Sequence, residues 1–161
     1  MLATIGLLWQ ISAVFAFEAK LVGVYKDWSV YVSEEPQGKV CYMATKPQNK
    51  REKKLGESYA MITHRPFEGR LGEVSVVSGY TYKKDSIVKL KFKKKVFEFF
   101  TDIDTAWAKD SKADRAVASY LRAEAALTVE GINTKGEIIT DSYSLKGSTA
   151  AYSMLNRACG L

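Results

Sequence analysis

The chain has 161 residues, 47% of them hydrophobic, which suits one domain with a real core. Two cysteines and a single histidine, with no short C-x-x-C spacing, exclude a zinc site, so neither a metal nor a cofactor is expected. The net charge is +6, yet no nucleic-acid recognition motif accompanies it and no nucleic-acid partner is expected.

Residues 1–16, MLATIGLLWQISAVFA, are uncharged and mostly apolar. A membrane span needs about 20 such residues, so the segment is short for one. Val14 and Ala16 occupy positions minus three and minus one of a cleavage site after Ala16. The reading is a secretory signal peptide, followed by one domain over 17–161. No Lys or Arg precedes the apolar run, which leaves an uncleaved anchor open. An exported chain meets an oxidising compartment, where Cys41 and Cys159 have only one way to pair.

From Val22 to about Thr101, short β-branched and aromatic runs alternate with turn residues. WSVYV and VCYMAT flank the break EEPQGK, and the charged loop KPQNKREKKLGES precedes the runs YAMITHRP and EVSVVSGYTY. SIVKLKFKKKVFEFFTD reads as a hairpin: Val88, Leu90 and Phe92 alternate with Lys89, Lys91 and Lys93, and Phe97 and Phe99 point inward on the return.

At Asp104 the period changes. DTAWAKDSKADRAVASYLRAEA predicts a helix with Ala113, Ala116, Val117, Tyr120 and Leu121 on one stripe and Asp110 or Ser111 as N-cap. Strands return in ALTVEGINTKGEIITDSYSL, with a turn over Asn133 to Gly136. STAAYSMLNRAC predicts a last helix, capped by Ser148 or Thr149, with Ala151, Met154, Leu155 and Ala158 facing the core. Six to eight strands, one internal helix and one C-terminal helix make a mainly β chain, an antiparallel β-sandwich with helical additions.

Four stretches now stand out together: YKDWSVYV, GKVCYMATKP, FTDIDTAWAKDSKADRAVASYLRA and LTVEGINTKGEIITDSYSLKGSTAAYSMLNRAC. In these the chain resembles the invasion-associated locus B family of bacterial exported proteins. The most specific part is the D-x-Y-S-L-x-G run followed by an Ala-Ala helix and a terminal cysteine. The resemblance implies an immunoglobulin-like β-sandwich in the periplasm or at the cell surface, in a family linked to host-cell invasion. It brings no catalytic residue to carry over.

Three chemistries are weighed on the residues themselves. A hydrolase would need Ser142, Ser144, Ser148 or Ser153 beside His64, with Asp141 as orienting acid; LKGST lacks the second glycine of a nucleophile elbow, and no catalytic residue is assigned. His64 reads as a surface or rim histidine, and Asp102 and Asp104 as turn or cap residues. Trp28 and Trp107 read as core or rim anchors whose indole N–H finds a partner at an edge.

Charge is the strongest signal. Residues 83–95, KKDSIVKLKFKKK, hold seven lysines and one aspartate, a local +6 equal to the net charge of the chain. Lys83, Lys84, Lys89, Lys91, Lys93, Lys94 and Lys95 therefore form a candidate anion-binding patch, facing anionic envelope or host-surface groups. The plainer reading is a solvated strand whose lysines discourage unwanted pairing. A scaffold or chaperone-like binder working through strand edges is the remaining alternative.

Overall fold

The computed structural model describes residues 18–161; the expected signal peptide, residues 1–16, lies outside the described residues. Ten strands form: β1 (Lys20–Tyr25), β2 (Trp28–Glu35), β3 (Gly38–Thr45), β4 (Tyr59–Arg65), β5 (Arg70–Val77), β6 (Ile87–Lys91), β7 (Val96–Asp102), β8 (Thr105–Trp107), β9 (Ala126–Ile132) and β10 (Ile138–Ser144). Two α-helices join them, α1 (Ser111–Ala123) and α2 (Ser148–Ala158). Among the described residues no helix is long and apolar enough to cross a membrane.

The strands exceed the six to eight expected because β1 and β8 escape the pattern. A register shift between Leu21 and Gly23 breaks the alternation of β1. β8 is only Thr-Ala-Trp, inside a stretch whose alanines read as the start of a helix.

All pairings are antiparallel, in one sheet of order β1-β2-β3-β4-β5-β8-β7-β6-β9-β10. Trp28 of β2 and Tyr143 of β10, nearly at opposite ends of that order, belong to the same buried cluster. A flat sheet would hold them far apart, so the sheet folds over on itself around one core, and the sandwich is continuous. Trp28 is fully buried, but its indole N–H has no partner among the described residues, contrary to the edge position expected for it.

Alternation places each side chain as the pleat requires. On β6, Val88 and Leu90 are wholly buried while Lys89 is exposed. On β7, Phe99 is 1% exposed and its neighbour Phe100 is 48% exposed, so adjacent rings face the core and solvent respectively.

The two helices close the fold. Asp110 caps α1, accepting the amide of Ala113 at 2.8 Å. Val117, Ala118 and Leu121 form its buried stripe; Ala116, expected there, is exposed. The helix lies along the part of β5 that extends past the short β8, where the Asp114 carboxylate accepts the Val74 amide at 2.8 Å. It thereby satisfies a strand donor that has no strand partner.

α2 packs on β1, β2 and β3 through Ala151 and Leu155. Its N-cap is Gly147 and not Ser148 or Thr149, and no side chain caps it. Gly147 has φ of 90°, and a Cβ there would sit 2.0 Å from the carbonyl oxygen of Tyr25. Backbone contact leaves no room for another residue. Ser148 is buried behind it, and the Thr149 hydroxyl donates to the carbonyl of Arg122 at 3.0 Å, tying α2 to the end of α1.

Candidate functional site

The C-terminal stretch is the first candidate, and its side chains hold the fold closed. Cys159, just beyond α2, is bonded to Cys41 in β3, with Cα atoms 5.9 Å apart. A second fastening lies on β10. Asp141 and Tyr143 both point inward, two residues apart, so both meet the loop that follows β3.

There Arg51 Nε donates to Asp141 Oδ1 at 2.8 Å, and Arg51 also donates to the carbonyls of Ser78, at 2.6 Å, and Gly56. Ser58 donates to the carbonyl of Val77 at 2.9 Å and shares a hydrogen bond of 2.6 Å with the Tyr143 hydroxyl. Burial raises the Asp141 carboxyl above its ordinary value, while Arg51 and Ser58 act against that. Burial also pushes the Tyr80 phenol, at the same cluster, up to about 12.

The same loop covers the open edge of β10. Gln48 N donates to Ser142 O at 2.7 Å, Ser142 N donates to Asn49 Oδ1 at 2.7 Å, and Asn49 Nδ2 donates to Thr140 O at 3.1 Å. Gly56 and Gly79 let the backbones touch: a Cβ on Gly79 would lie 2.3 Å from Gly56 O. Arg51 is thus the pin of an edge cover. Sequence reasoning missed it, although the inward D-x-Y pair on β10 signals that Asp141 needs a buried cation.

His64 corrects the rim position expected for it, being 2% exposed. Its Nδ1 accepts the Gly72 amide at 2.8 Å, which leaves Nε2–H to donate to Asn156 Oδ1 at 2.9 Å. Both ring nitrogens are occupied, one on β5 and one on α2, so the ring is not joined to a serine hydroxyl or to Asp141. Burial lowers its pKa.

A histidine whose folded pKa is depressed binds fewer protons folded than unfolded, so stability is full above about 6.5 and falls as pH drops through that value. Unfolding free energy should therefore decrease between about pH 7 and pH 5 in wild type. His64→Gln, which keeps an acceptor and a donor, should flatten that slope. An unchanged slope in urea titrations of the variant would assign it to other groups.

The seven lysines fall at three places along the chain: before β6, on β6 and in the turn after it. Lys89 lies directly between Glu98 of β7 and Glu130 of β9. Lys91 Nζ is 2.7 Å from the Glu130 carboxylate. The outward face of β6 is therefore a balanced ladder of lysines and glutamates. Lys83 and Lys84 precede the strand, beside Asp85. Lys93, Lys94 and Lys95 sit at its other end, in the β6–β7 turn closed by Phe92 N donating to Lys95 O at 2.8 Å. All three are exposed, and none is in a salt bridge among the described residues.

A groove of about 800 Å3, which sequence reasoning did not anticipate, opens beside α1. Leu71, Phe100 and Trp107 line it together with charged residues of both signs. Asp102 lines it from the end of β7, while Asp104 in the β7–β8 turn accepts the Thr105 hydroxyl at 3.0 Å and its carbonyl accepts the Ser78 amide at 2.8 Å.

The fold and the closing elements can be set beside known proteins. The crystal structure of invasion associated protein b from Bartonella henselae is similar, with a TM-score of 0.62 and 15% identity, over 88% of this chain and 100% of that one. No curated protein sequence matches the chain. The sequence pattern of the family described as Invasion associated locus B (IalB) protein matches residues 28–156, from the buried Trp28 of β2 to Asn156, the partner of His64 on α2. The chain therefore belongs to the invasion associated locus B family.

Proposed function

We propose that the protein is an exported, noncatalytic binding protein of the bacterial envelope or surface, and that the β6–β7 turn is its contact with anionic groups. The observation that carries the reading is the run Lys93, Lys94, Lys95: consecutive, exposed and free of carboxylate partners among the described residues, while the strand lysines behind it are matched by Glu98 and Glu130. Export is supported by the uncharged apolar first sixteen residues and by a disulfide, a bond that persists in oxidising compartments.

Near an anionic surface each lysine contributes about 1 kcal/mol, so three give about 3 kcal/mol, on the order of a hundredfold in affinity. The attraction is screened by salt. Replacing Lys93, Lys94 and Lys95 with Ser should leave the unfolding free energy within about 0.5 kcal/mol of wild type. It should abolish retention on phosphatidylglycerol vesicles and on heparin at physiological salt. The Lys83→Ser, Lys84→Ser, Lys89→Ser variant removes the same number of charges, three, from the other side of the turn and should retain binding. Equal loss in both variants would reduce the effect to net charge, and equal retention by the first would refute the contact.

A further inference from the structure

The groove beside α1 offers a second kind of recognition, independent of the lysine turn. Its aromatic part is set by register. Phe100 of β7 pairs directly with Trp107 of β8, and both project from the outward face of the sheet. Directly opposed Cβ atoms on adjacent strands lie about 5 Å apart, so both residues line one part of the groove, together with Leu71 of β5. Phe100 is 48% and Leu71 46% exposed. These side chains bring apolar surface into a concave site that also carries charged groups.

The polar lining divides into groups already engaged and groups left available. Arg70 and Glu73 bond each other, Asp110 caps α1, and Asp114 holds the Val74 amide. The side chains of Asp102, Lys109 and Arg115 line the same groove and make no hydrogen bond or ion pair among the described residues. One free acceptor and two free donor groups therefore surround the aromatic pair. In full, the lining carries Arg70, Lys109 and Arg115 against Glu73, Asp102, Asp110 and Asp114, so it is close to neutral.

This balance disfavours an anionic ligand, which the lysine turn serves better. An extended peptide is disfavoured by the backbone. The β5 amides of Gly72 and Val74, near the groove, are taken by His64 and Asp114, which leaves neither to pair with an added strand. Recognition must come from side chains: flat aromatic faces, one carboxylate acceptor and cationic donors. That set matches a pyranose ring, whose C–H face is weakly positive and lies on the negative face of an aromatic ring while its hydroxyls donate to a carboxylate and accept from cations. The volume, about 800 Å3, lies within the range of small-molecule sites.

We propose that the groove between β5, β7, β8 and the start of α1 binds a neutral sugar unit of a glycan, with Phe100 and Trp107 as the stacking platform and Asp102, Lys109 and Arg115 as the polar contacts. The lysine turn, at the opposite end of β7, is left free to hold an anionic surface at the same time.

The test is calorimetric titration of the protein with chitohexaose and with cellohexaose, alongside NMR of the Trp107 indole N–H. Saturable binding of at least one sugar that moves the Trp107 resonance is expected. Phe100→Ser and Asp102→Asn alter exposed side chains, and each should weaken binding at least about tenfold without shifting the unfolding midpoint. A variant that loses stability is replaced by Phe100→Leu, which keeps apolar bulk but removes the ring and should weaken binding likewise. Neither sugar moving Trp107, or both Phe100 variants binding as wild type, overturns the proposal. So does an uncharged extended peptide that moves Trp107 where the sugars do not, which would mark the groove as a peptide site.

Discussion

Replacing Cys41 and Cys159 together with Ala should lower the unfolding free energy by about 4 to 5 kcal/mol, a large share of the roughly 5–15 kcal/mol that holds a domain of this size. The magnitude follows from the loop. The bond joins positions 118 residues apart, nearly the whole folded chain, and closing so long a loop removes much of the freedom of the unfolded state. Alanine is the better replacement because Cys41 is wholly buried between strands, where a serine hydroxyl would need a partner.

The loss should be uneven in its local effect. α2 is a short helix with no side-chain cap, held on β1 to β3 by Ala151, Leu155 and the bond. Isolated helices shorter than about 12–15 residues are marginal in water. Amides of α2 should therefore exchange with solvent faster than those of β3 and β4 in the variant, and reduction of wild type with dithiothreitol should reproduce the shift. A destabilisation below about 1 kcal/mol would show that packing alone fixes α2.

Local rules in the sequence carried most strands of the sheet, the cap of α1 and the turn over Asn133 to Gly136, because each depends on near neighbours. What stayed hidden depends on register. The lysines of β6 read as a continuous basic face because alternation places Lys89 and Lys91 outward. Only the pairing of β6 with both β7 and β9 sets Glu98 and Glu130 against them, and Glu130 lies 39 residues beyond Lys91.

The groove was hidden for the same reason. Phe100 and Trp107 are separated by a turn that the helical period of DTAWAKDSKAD obscured, so neither β8 nor the aromatic pair was visible. His64 illustrates a third case. A histidine before Arg-Pro looks like a strand end, yet Asn156 and Tyr152 of the helix α2 lie against it and the Gly72 amide of β5 takes its other nitrogen. The inward D-x-Y of β10 was legible as a pattern, but its partner was not, because a charged loop gives no sign of which cation turns inward.

That partner, Arg51, makes the least exposed ion pair among the described residues. Arg51→Met should cost about 3 to 5 kcal/mol at neutral pH, because it leaves a buried carboxylate without its cation. Arg51 and Asp141 side chains are only 13% and 6% exposed, so water cannot replace the lost contact. The substitution also frees the carbonyls of Gly56 and Ser78, both acceptors from the guanidinium. The loop would then hold β10 only through Gln48, Asn49 and Ser58, and the Ser142 amide, bonded to Asn49, should lose protection from exchange.

The pH dependence distinguishes this mechanism from simple loss of packing. Without Arg51, nothing of comparable strength opposes burial, and the folded pKa of Asp141 moves further above its unfolded value. A carboxyl raised in this way binds more protons folded than unfolded, so the stability of the variant falls as pH rises from about 3.9 through the folded value. The deficit relative to wild type should therefore be smallest in acid and largest near neutrality. Adding Asp141→Asn, which removes the charge while keeping the shape, should recover part of the loss at neutral pH. A deficit that is constant with pH, with no recovery in the double variant, would mean that Arg51 acts through its stem and its carbonyl contacts, and that the ion pair itself contributes little.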